Sequence, residues 1–181
     1  FLMLSYNHAQ FIESSLLSII SQNEYLLEME LVIIDDGSTD GTIEIIKNFS
    51  EKFGHIVKIS SYFLEHQGIS SISKNFLKLI QLATLDYICF IASDDTYVKE
   101  AFKEQIGIME QDSFVQGVFA DGTNVSTSGN KTSVMGDIDK KILSSGSVEL
   151  MESYVRTNIP SLFIQSCIVR SKFVKSYESF D

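Results

Sequence analysis

Two pairs of adjacent aspartates are the residues of this sequence best suited to chemistry. Asp35-Asp36 directly follows a short apolar run at 31–34, and Asp94-Asp95 follows another at 87–91 after Ala92 and Ser93. Carboxylates are rarely buried without a partner, and open α/β folds bind ligands at the carboxyl ends of their strands, so both pairs are expected in one polar site. Paired carboxylates attract a hard divalent cation, which commonly holds substrate phosphates. The alternative for each pair is a solvated turn that caps the next helix.

The apolar pattern indicates which elements would position these pairs. Short runs rich in β-branched and aromatic residues predict strands at 1–4, 31–34, 57–63, 87–91 and 117–120. Apolar residues at helical spacing predict helices at 9–22, 43–53, 72–83 and 99–112. This alternation predicts an α/β fold with a mostly parallel central sheet, right-handed crossovers and helices on both faces.

The later part of the chain has a different character. Residues 121–147 are rich in Ser, Thr, Gly and Asn, which predicts a loop or a small hairpin with its turn at 128–130. A short helix is predicted at 148–156, and the composition of 162–169 favours a strand.

Composition argues against several classes of protein. The net charge of -10, from 24 acidic and 14 basic residues, does not suit a nucleic-acid binder, which needs a basic face. Cys89 and Cys167 lack zinc-site spacing and suit two buried thiols in a reducing cytoplasm. No apolar run approaches the about 18 residues of a membrane span. Because the chain lacks an initial Met and stops abruptly at Asp181, we expect truncation at both ends, with peripheral membrane association only through missing segments.

Three familiar site motifs are absent from the sequence. The first turn, Ser5-Tyr6-Asn7-His8, has no glycine, which argues against a dinucleotide-binding dehydrogenase. The P-loop pattern G-x-x-x-x-G-K-[ST] and the nucleophile elbow G-x-S-x-G do not occur either. Acidic strand ends and a loop rich in Gly, Ser and Thr at 37–42 remain. They suit metal-assisted phosphoryl or glycosyl chemistry, in which positioning and charge neutralisation do most of the catalysis.

At this point the residues resemble a known family. Ser5-Tyr6-Asn7, the run Val-Ile-Ile-Asp-Asp-Gly-Ser-Thr-Asp-Gly-Thr at 32–42, Gly68 with Lys74-Asn75, and Ser93-Asp94-Asp95 are similar in order and spacing to the inverting GT-A glycosyltransferases of family 2. The resemblance covers 1–98 and continues weakly through 165–170 and Phe180-Asp181. It implies a single GT-A catalytic domain over 1–181, with a nucleotide-sugar-binding half at 1–98 and part of the acceptor-side half at 99–181.

The resemblance also implies a role for each matching residue. The backbone near Leu4 and the ring of Tyr6 would line the nucleoside pocket, and Asp36 would accept a hydrogen bond from the base, usually uracil. Asp94 would contact the ribose or the sugar, and Asp95 would bind the Mg²⁺ or Mn²⁺ that bridges the diphosphate. The other residues implied in nucleotide-sugar binding are Asn7, Ser38, Lys74, Asn75 and Ser93.

Several of these residues have a plain structural alternative. Asp35 is as well suited to capping its loop through backbone amides as to touching a ligand, and Asn75 to capping as to the site. Lys74 also suits a solvated helix position. His8 and His66 lie on loops that face the site, but no metal-ligand spacing links them, so a surface role is favoured.

The resemblance implies a reaction, and two rivals stay open. A UDP-sugar would supply the sugar, and a saccharide or glycoconjugate of bacterial surface polysaccharide would accept it. The catalytic base, a carboxylate in this family, is expected beyond Asp181, and its identity is unknown. The first rival is a catalytically silent nucleotide-sugar-binding module. The second, a flavodoxin-like phospho-acceptor domain, needs a lysine at the end of a later strand, where Ile91 and Ala120 stand instead.

Overall fold

The structure, a computed structural model, divides the chain into two compact units. Phe1–Val118 and Ile168–Asp181 form the first unit, and Phe119–Cys167 form the second. The residues that the structure describes are 1–26, 28–137 and 164–176. The helix predicted at 148–156 and the pair Phe180-Asp181 lie outside the described residues.

A six-stranded sheet is the centre of the first unit. The strands of the chain, in sequence order, are β1 Leu2–Ser5, β2 Glu30–Asp35, β3 Lys58–Phe63, β4 Tyr87–Ala92, β5 Gly117–Val118, β6 Thr123–Val125, β7 Lys131–Ser133 and β8 Ile168–Arg170. The spatial order of the sheet is β3-β2-β1-β4-β8-β5. β1 to β4 are mutually parallel, whereas β8 runs antiparallel to both β4 and β5. This confirms the predicted α/β class with a mostly parallel sheet.

Helices cover both faces of this sheet. They are α1 Ile12–Ile20, α2 Thr42–Phe53, α3 Ile72–Leu82, α4 Lys103–Gln111 and α5 Ser171–Lys175. Alternate strand residues point to opposite faces, so Met3 packs in a core with α1, α2 and α4, while Leu2 packs in a second core with α3 and α5. Each fully buried Leu or Ile contributes about 1.5–3 kcal/mol. None of the described helices is long and apolar enough to cross a membrane.

The strand order creates a crevice at one edge of the sheet. From β1 the chain moves outward to β2 and β3, and it then returns to place β4 on the other side of β1. Ser5 is paired with Asp35 and Leu4 with Ala92, so β1, β2 and β4 end level with one another. In open α/β sheets, ligands bind beyond the carboxyl ends of the strands at such a reversal. Both aspartate pairs follow strands that end at this edge.

The second unit contains the hairpin that the sequence predicts. β6 pairs with β7 in antiparallel register, and the backbone N–H of Gly129 donates to the carbonyl of Ser126 at 2.8 Å. Gly129 has a φ of +82°, a backbone conformation that residues other than glycine rarely adopt.

Two element predictions need correction. Residues 164–166 of the strand predicted at 162–169 form a 3-10 turn, in which the N–H of Cys167 donates to the carbonyl of Ile164 at 3.1 Å, so only Ile168–Arg170 is extended. The helix predicted from residue 99 begins at Lys103, because Glu100 has a φ of +59°, outside the helical range.

Gly107, in the middle of α4, offers a test of how α4 packs. A Cβ on Gly107 would have open space around it, and glycine costs about 0.8–1.0 kcal/mol relative to alanine inside a helix. Gly107→Ala is therefore expected to raise the free energy of unfolding by about 0.5–1 kcal/mol, measured by urea denaturation. Gly117→Ala is the control and should destabilise, because its Cβ would lie 2.9 Å from Cγ1 of Val169. A destabilised Gly107→Ala protein would contradict the packing of α4.

Candidate functional site

Asp35 holds together the loop that follows β2. Its side chain is fully buried and accepts the backbone N–H of Ser38 at 2.8 Å and the Ser38 hydroxyl at 2.7 Å. The Ser38 oxygen in turn accepts the backbone N–H of Asn7 at 2.8 Å, and the Asn7 side-chain oxygen accepts the N–H of Thr39 at 2.9 Å. Of the two roles open to Asp35, the structure therefore shows capping of the loop. Asn7 and Ser38 fasten the loop after β1 to the loop after β2.

Asp40 adds hydrogen bonds between the loop after β1 and the start of α2. Its carboxylate accepts the hydroxyl of Thr42 at 2.6 Å and the backbone N–H of Ala9 at 2.9 Å. These hydrogen bonds, that of the Thr42 hydroxyl first, lower the pKa of Asp40 because they favour the ionised form. The Thr42 hydroxyl oxygen also accepts the backbone N–H of His8 at 3.0 Å. The start of α2 and the loop after β1 are thus tied together on the site edge.

Asp36, like Asp35, is a buried carboxylate and is 7% exposed. Its backbone N–H donates to the carbonyl of Ser5 at 2.9 Å, which continues the pairing of β1 with β2. Oδ1 accepts Nδ2 of Asn75 at 3.3 Å and, more weakly, the hydroxyl of Ser71 at 3.5 Å. Oδ2 lies 2.9 Å from Nδ1 of His66. The structure therefore brings two of the predicted site residues, Asp36 and Asn75, into contact at the start of α3.

Tyr6 and His66 stack face to face beside Asp36. Their ring centroids are 4.1 Å apart and their planes differ by 10°. Tyr6 remains 41% exposed, and the side chain of His66 is 45% exposed. Nδ1 of His66 also lies 3.0 Å from the backbone carbonyl oxygen of Asp36. Because the carbonyl and the carboxylate can only accept, Nδ1 carries a proton.

The second aspartate pair lies at the end of β4. Ser93 is buried, Asp94 is exposed and Asp95 is half-buried. Burial, and then the negative charge of Asp94, raise the pKa of Asp95, because both disfavour a second ionised carboxylate. The Ser93 hydroxyl lies 2.7 Å from Nδ1 of His8, which joins the loop after β4 to the loop after β1. A cation near Asp95 would relieve the unfavourable charge there.

The donor set suits a metal that binds together with its ligand. Within residues 1–26, 28–137 and 164–176, no group of three or more His, Cys, Asp or Glu side chains stands close enough to hold an ion. Mg²⁺ is commonly bound by one or two carboxylates together with substrate phosphates and water. Asp95, with Asp94 beside it, can supply the carboxylate ligands of such an ion, and a diphosphate would supply phosphate oxygens as further ligands.

Two other predicted residues lie close to this edge. Leu4 is paired with Ile34 on one side and Ala92 on the other, and its side chain packs against the core that includes Leu2. Lys74 lies in the first turn of α3, next to Asn75, and is exposed. It makes no hydrogen bond or ion pair with the described part of the chain, so its ammonium group is available to an anion.

Sequence reasoning missed three side chains of the site: His66, His8 and Ser71. It placed the two histidines on loops that face the site but favoured a surface role for them, because no metal-ligand spacing links them. The contact between His66 and Asp36 spans the loops that follow β3 and β2. A rule that collects every polar residue just after a parallel strand would have found both histidines, because each follows a strand that ends at the site edge.

Solved structures show the class of fold to which this arrangement belongs. Staphylococcus aureus TarS 1-349, solved in complex with UDP, matches with a TM-score of 0.72 and 22% identity over 97% of this chain and 47% of that chain. The mannosyltransferase PcManGT from Pyrobaculum calidifontis, solved with GDP-Man and Mn²⁺, matches with a TM-score of 0.56 and 21% identity over 66% of this chain and 34% of that chain. These likenesses show that the fold is GT-A, as predicted.

The sequence comparison then identifies the family. A family model described as glycosyl transferase family 2 matches residues 1–175, so the chain belongs to that family. The dTDP-rhamnosyl transferase RfbG of Shigella flexneri is 36% identical over 107 residues, which are 58% of this chain and 35% of RfbG. The chain spans about a third of the length of the curated relatives that it matches, for example 32% and 35% of two of them.

Proposed function

We propose that the protein transfers a sugar from a nucleoside-diphosphate sugar to an acceptor hydroxyl, with inversion, assisted by Mg²⁺ or Mn²⁺. The observation that carries the proposal is that Asp36 and the Asp94-Asp95 pair lie at one edge of the sheet, at the ends of the two strands that flank β1. Two strand spacings separate those ends, about 10 Å. The nucleobase and the diphosphate would thus be held by separate carboxylates.

Asp36 would recognise the base of the nucleotide. A buried carboxylate needs a hydrogen-bond donor, and the ring N–H of uracil can supply one. The nucleotides in the names of the similar proteins are dTDP, UDP and GDP. Thymine, uracil and guanine share a ring N–H beside a carbonyl group, so all three bases could satisfy Asp36. UDP-sugar is the proposed sugar donor, as the family resemblance implies, and the similar TarS was solved in complex with UDP.

The other predicted residues would hold the rest of the nucleotide sugar. Asp94 would contact the ribose or the sugar, and Asp95 would hold the cation. When bound, the cation would neutralise the negative charge that develops on the leaving diphosphate. Lys74 would add positive charge near the phosphates, while Ser93, Asn7, Ser38 and Asn75 would keep these groups in position through the contacts described above. Residues 1–98 would thus form the nucleotide-sugar half, and 99–181 part of the acceptor side.

The acceptor chemistry needs a group outside the assigned site. An inverting transfer requires a base that removes the proton of the acceptor hydroxyl in line with the leaving group. The proposed base is a carboxylate, as the family resemblance implies. The proposed acceptor is a saccharide or glycoconjugate of a bacterial surface polysaccharide, as the family resemblance implies. The proposed place of action is the cytoplasm, at or near the inner face of the membrane.

Thermal unfolding with nucleotides tests this proposal. UDP with Mn²⁺, at about 100 times its dissociation constant, should raise the free energy of unfolding by about 2.7 kcal/mol, because it binds only the folded state. Chelation of the metal should remove most of this effect, and uridine without phosphates should have little effect. No stabilisation by UDP, dTDP or GDP, with or without Mn²⁺, would refute the proposal. Release of UDP from UDP-sugars by the full-length protein would exclude the silent binding module.

A further inference from the structure

The imidazole of His66 makes the two contacts that a nucleobase would make in this site. It is a flat ring stacked on Tyr6, with centroids 4.1 Å apart and planes within 10°. Its Nδ1–H donates to Oδ2 of Asp36 at 2.9 Å. A uracil held by the same residues would place a ring against Tyr6 and a ring N–H on Asp36. The side chain of His66 therefore resembles the base in shape and in hydrogen bonding.

The hydrogen bonds of Asp36 leave a base only one oxygen to use. Oδ1 already accepts from Asn75 and Ser71, whose side chains are both buried. Among the described residues, Oδ2 accepts a hydrogen bond from His66 alone. Asp36 is 7% exposed, so a ligand has little other access to its carboxylate. A base that reaches Asp36 must therefore take Oδ2 from His66.

His66 can give up this position without a change of the fold. Its backbone lies close to the loop after β2, because a Cβ on Gly37 would lie 2.6 Å from the backbone N of His66. Its side chain is 45% exposed and faces solvent on one side. Rotation about its side-chain bonds would move the ring into water, and exposed side chains change rotamer within nanoseconds.

We infer that His66 is an internal competitor of the nucleotide: in the unliganded protein its ring fills the base position on Tyr6 and Asp36, and the base displaces it on binding. The inference rests on the proposed function of the site. When only a fraction of the molecules have the open position, the apparent dissociation constant rises in inverse proportion to that fraction. His66 thus lowers the affinity for UDP, and its return to Asp36 favours release of UDP after transfer.

Titration calorimetry with UDP and Mn²⁺ tests this inference on His66→Ala. Removal of the competing ring should tighten UDP binding about tenfold, as expected if the closed arrangement occupies about nine molecules in ten. His55→Ala is the matched control, because His55 lies in the exposed turn after α2, and its affinity should equal that of the wild type. Equal or weaker binding of UDP to His66→Ala would overturn the inference. His66 would then either have no effect on UDP binding or contribute to it favourably.

An NMR measurement on the wild-type protein does not depend on the variant. In the unliganded protein, the ring protons of His66 should be shifted by the ring current of Tyr6, and saturation with UDP and Mn²⁺ should move them to the positions of a solvated histidine. Ring protons that stay shifted with UDP bound would overturn the inference while leaving the proposed function intact. Failure of UDP, dTDP and GDP to bind the wild type and His66→Ala alike would instead refute the proposed function, and the inference with it.

Discussion

Asp95→Asn is expected to lower the rate of sugar transfer by the full-length protein about a thousandfold, a loss of about 4 kcal/mol of transition-state stabilisation. The carboxylate is the proposed protein ligand of the cation, and the neutral amide is a weaker one. UDP binding should also lose its dependence on Mn²⁺. The measurements are steady-state kinetics and titration calorimetry with and without Mn²⁺. Asp112→Asn removes the same charge from the exposed end of α4 and should leave both quantities unchanged.

The same substitution should stabilise the unliganded protein. Burial and the neighbouring Asp94 raise the pKa of Asp95, so its ionised form is less favourable in the folded state than in the unfolded state. The contribution of such a group to stability is present below its unfolded pKa and is lost as the pH rises through its folded pKa. At neutral pH, Asp95→Asn should therefore raise the unfolding temperature. A variant that is less stable than wild type, or that still needs Mn²⁺ to bind UDP, would contradict the role of Asp95.

Gly37→Ala is expected to lower the free energy of unfolding by about 2–4 kcal/mol, more than any other single glycine change considered. Gly37 has a φ of +80°, and its Cβ would lie 2.6 Å from the backbone N of His66, where no side chain can give way. The loop after β2 and the loop after β3 would have to separate, which also disturbs Asp36. Urea denaturation should show the loss of stability, and UDP binding should weaken with it.

Gly41→Ala separates the cost of the positive φ from the cost of the close contact between the two loops. Gly41 has a φ of +99°, but a Cβ there would meet nothing within 4 Å. Its substitution should therefore carry only the conformational cost, about 1–2 kcal/mol. If Gly41→Ala proves as destabilising as Gly37→Ala, the close approach of the two loops is not the cause.

The sequence was sufficient to predict the framework of the fold. The apolar runs that become β2 and β4 are buried on both faces, so their strand character is visible without knowledge of their neighbours. The place of Asp36 and Asp95 at the site edge follows from the parallel order of those strands. The position of β8 could not be predicted, because the pairing of Ile168–Arg170 with β4 is a long-range contact that the short apolar run does not encode.

The details of the site were less predictable for a related reason. Asp35 and Asp36 are adjacent and of one type, yet one caps its own loop and the other faces Asn75 and His66. Which aspartate caps the loop and which faces the site depends on the loop geometry that Gly37 permits, and no periodic pattern reports it. The roles of Leu4, Tyr6, Asn7, Ser38 and the other site residues stay predictions until ligand binding is measured.

Because β8 is the last of the described strands in sequence order, the sheet can be completed only after β8 has been synthesised on the ribosome. β1 to β4 pair with one another and can assemble as they emerge. β5 has β8 as its one sheet neighbour within the described residues, so it stays without a partner until Ile168–Arg170 has been made. At about 5–20 residues per second this interval lasts for seconds, and unpaired strand edges promote aggregation. A nascent chain stalled before Ile168 would thus expose the edge of β4 to other chains.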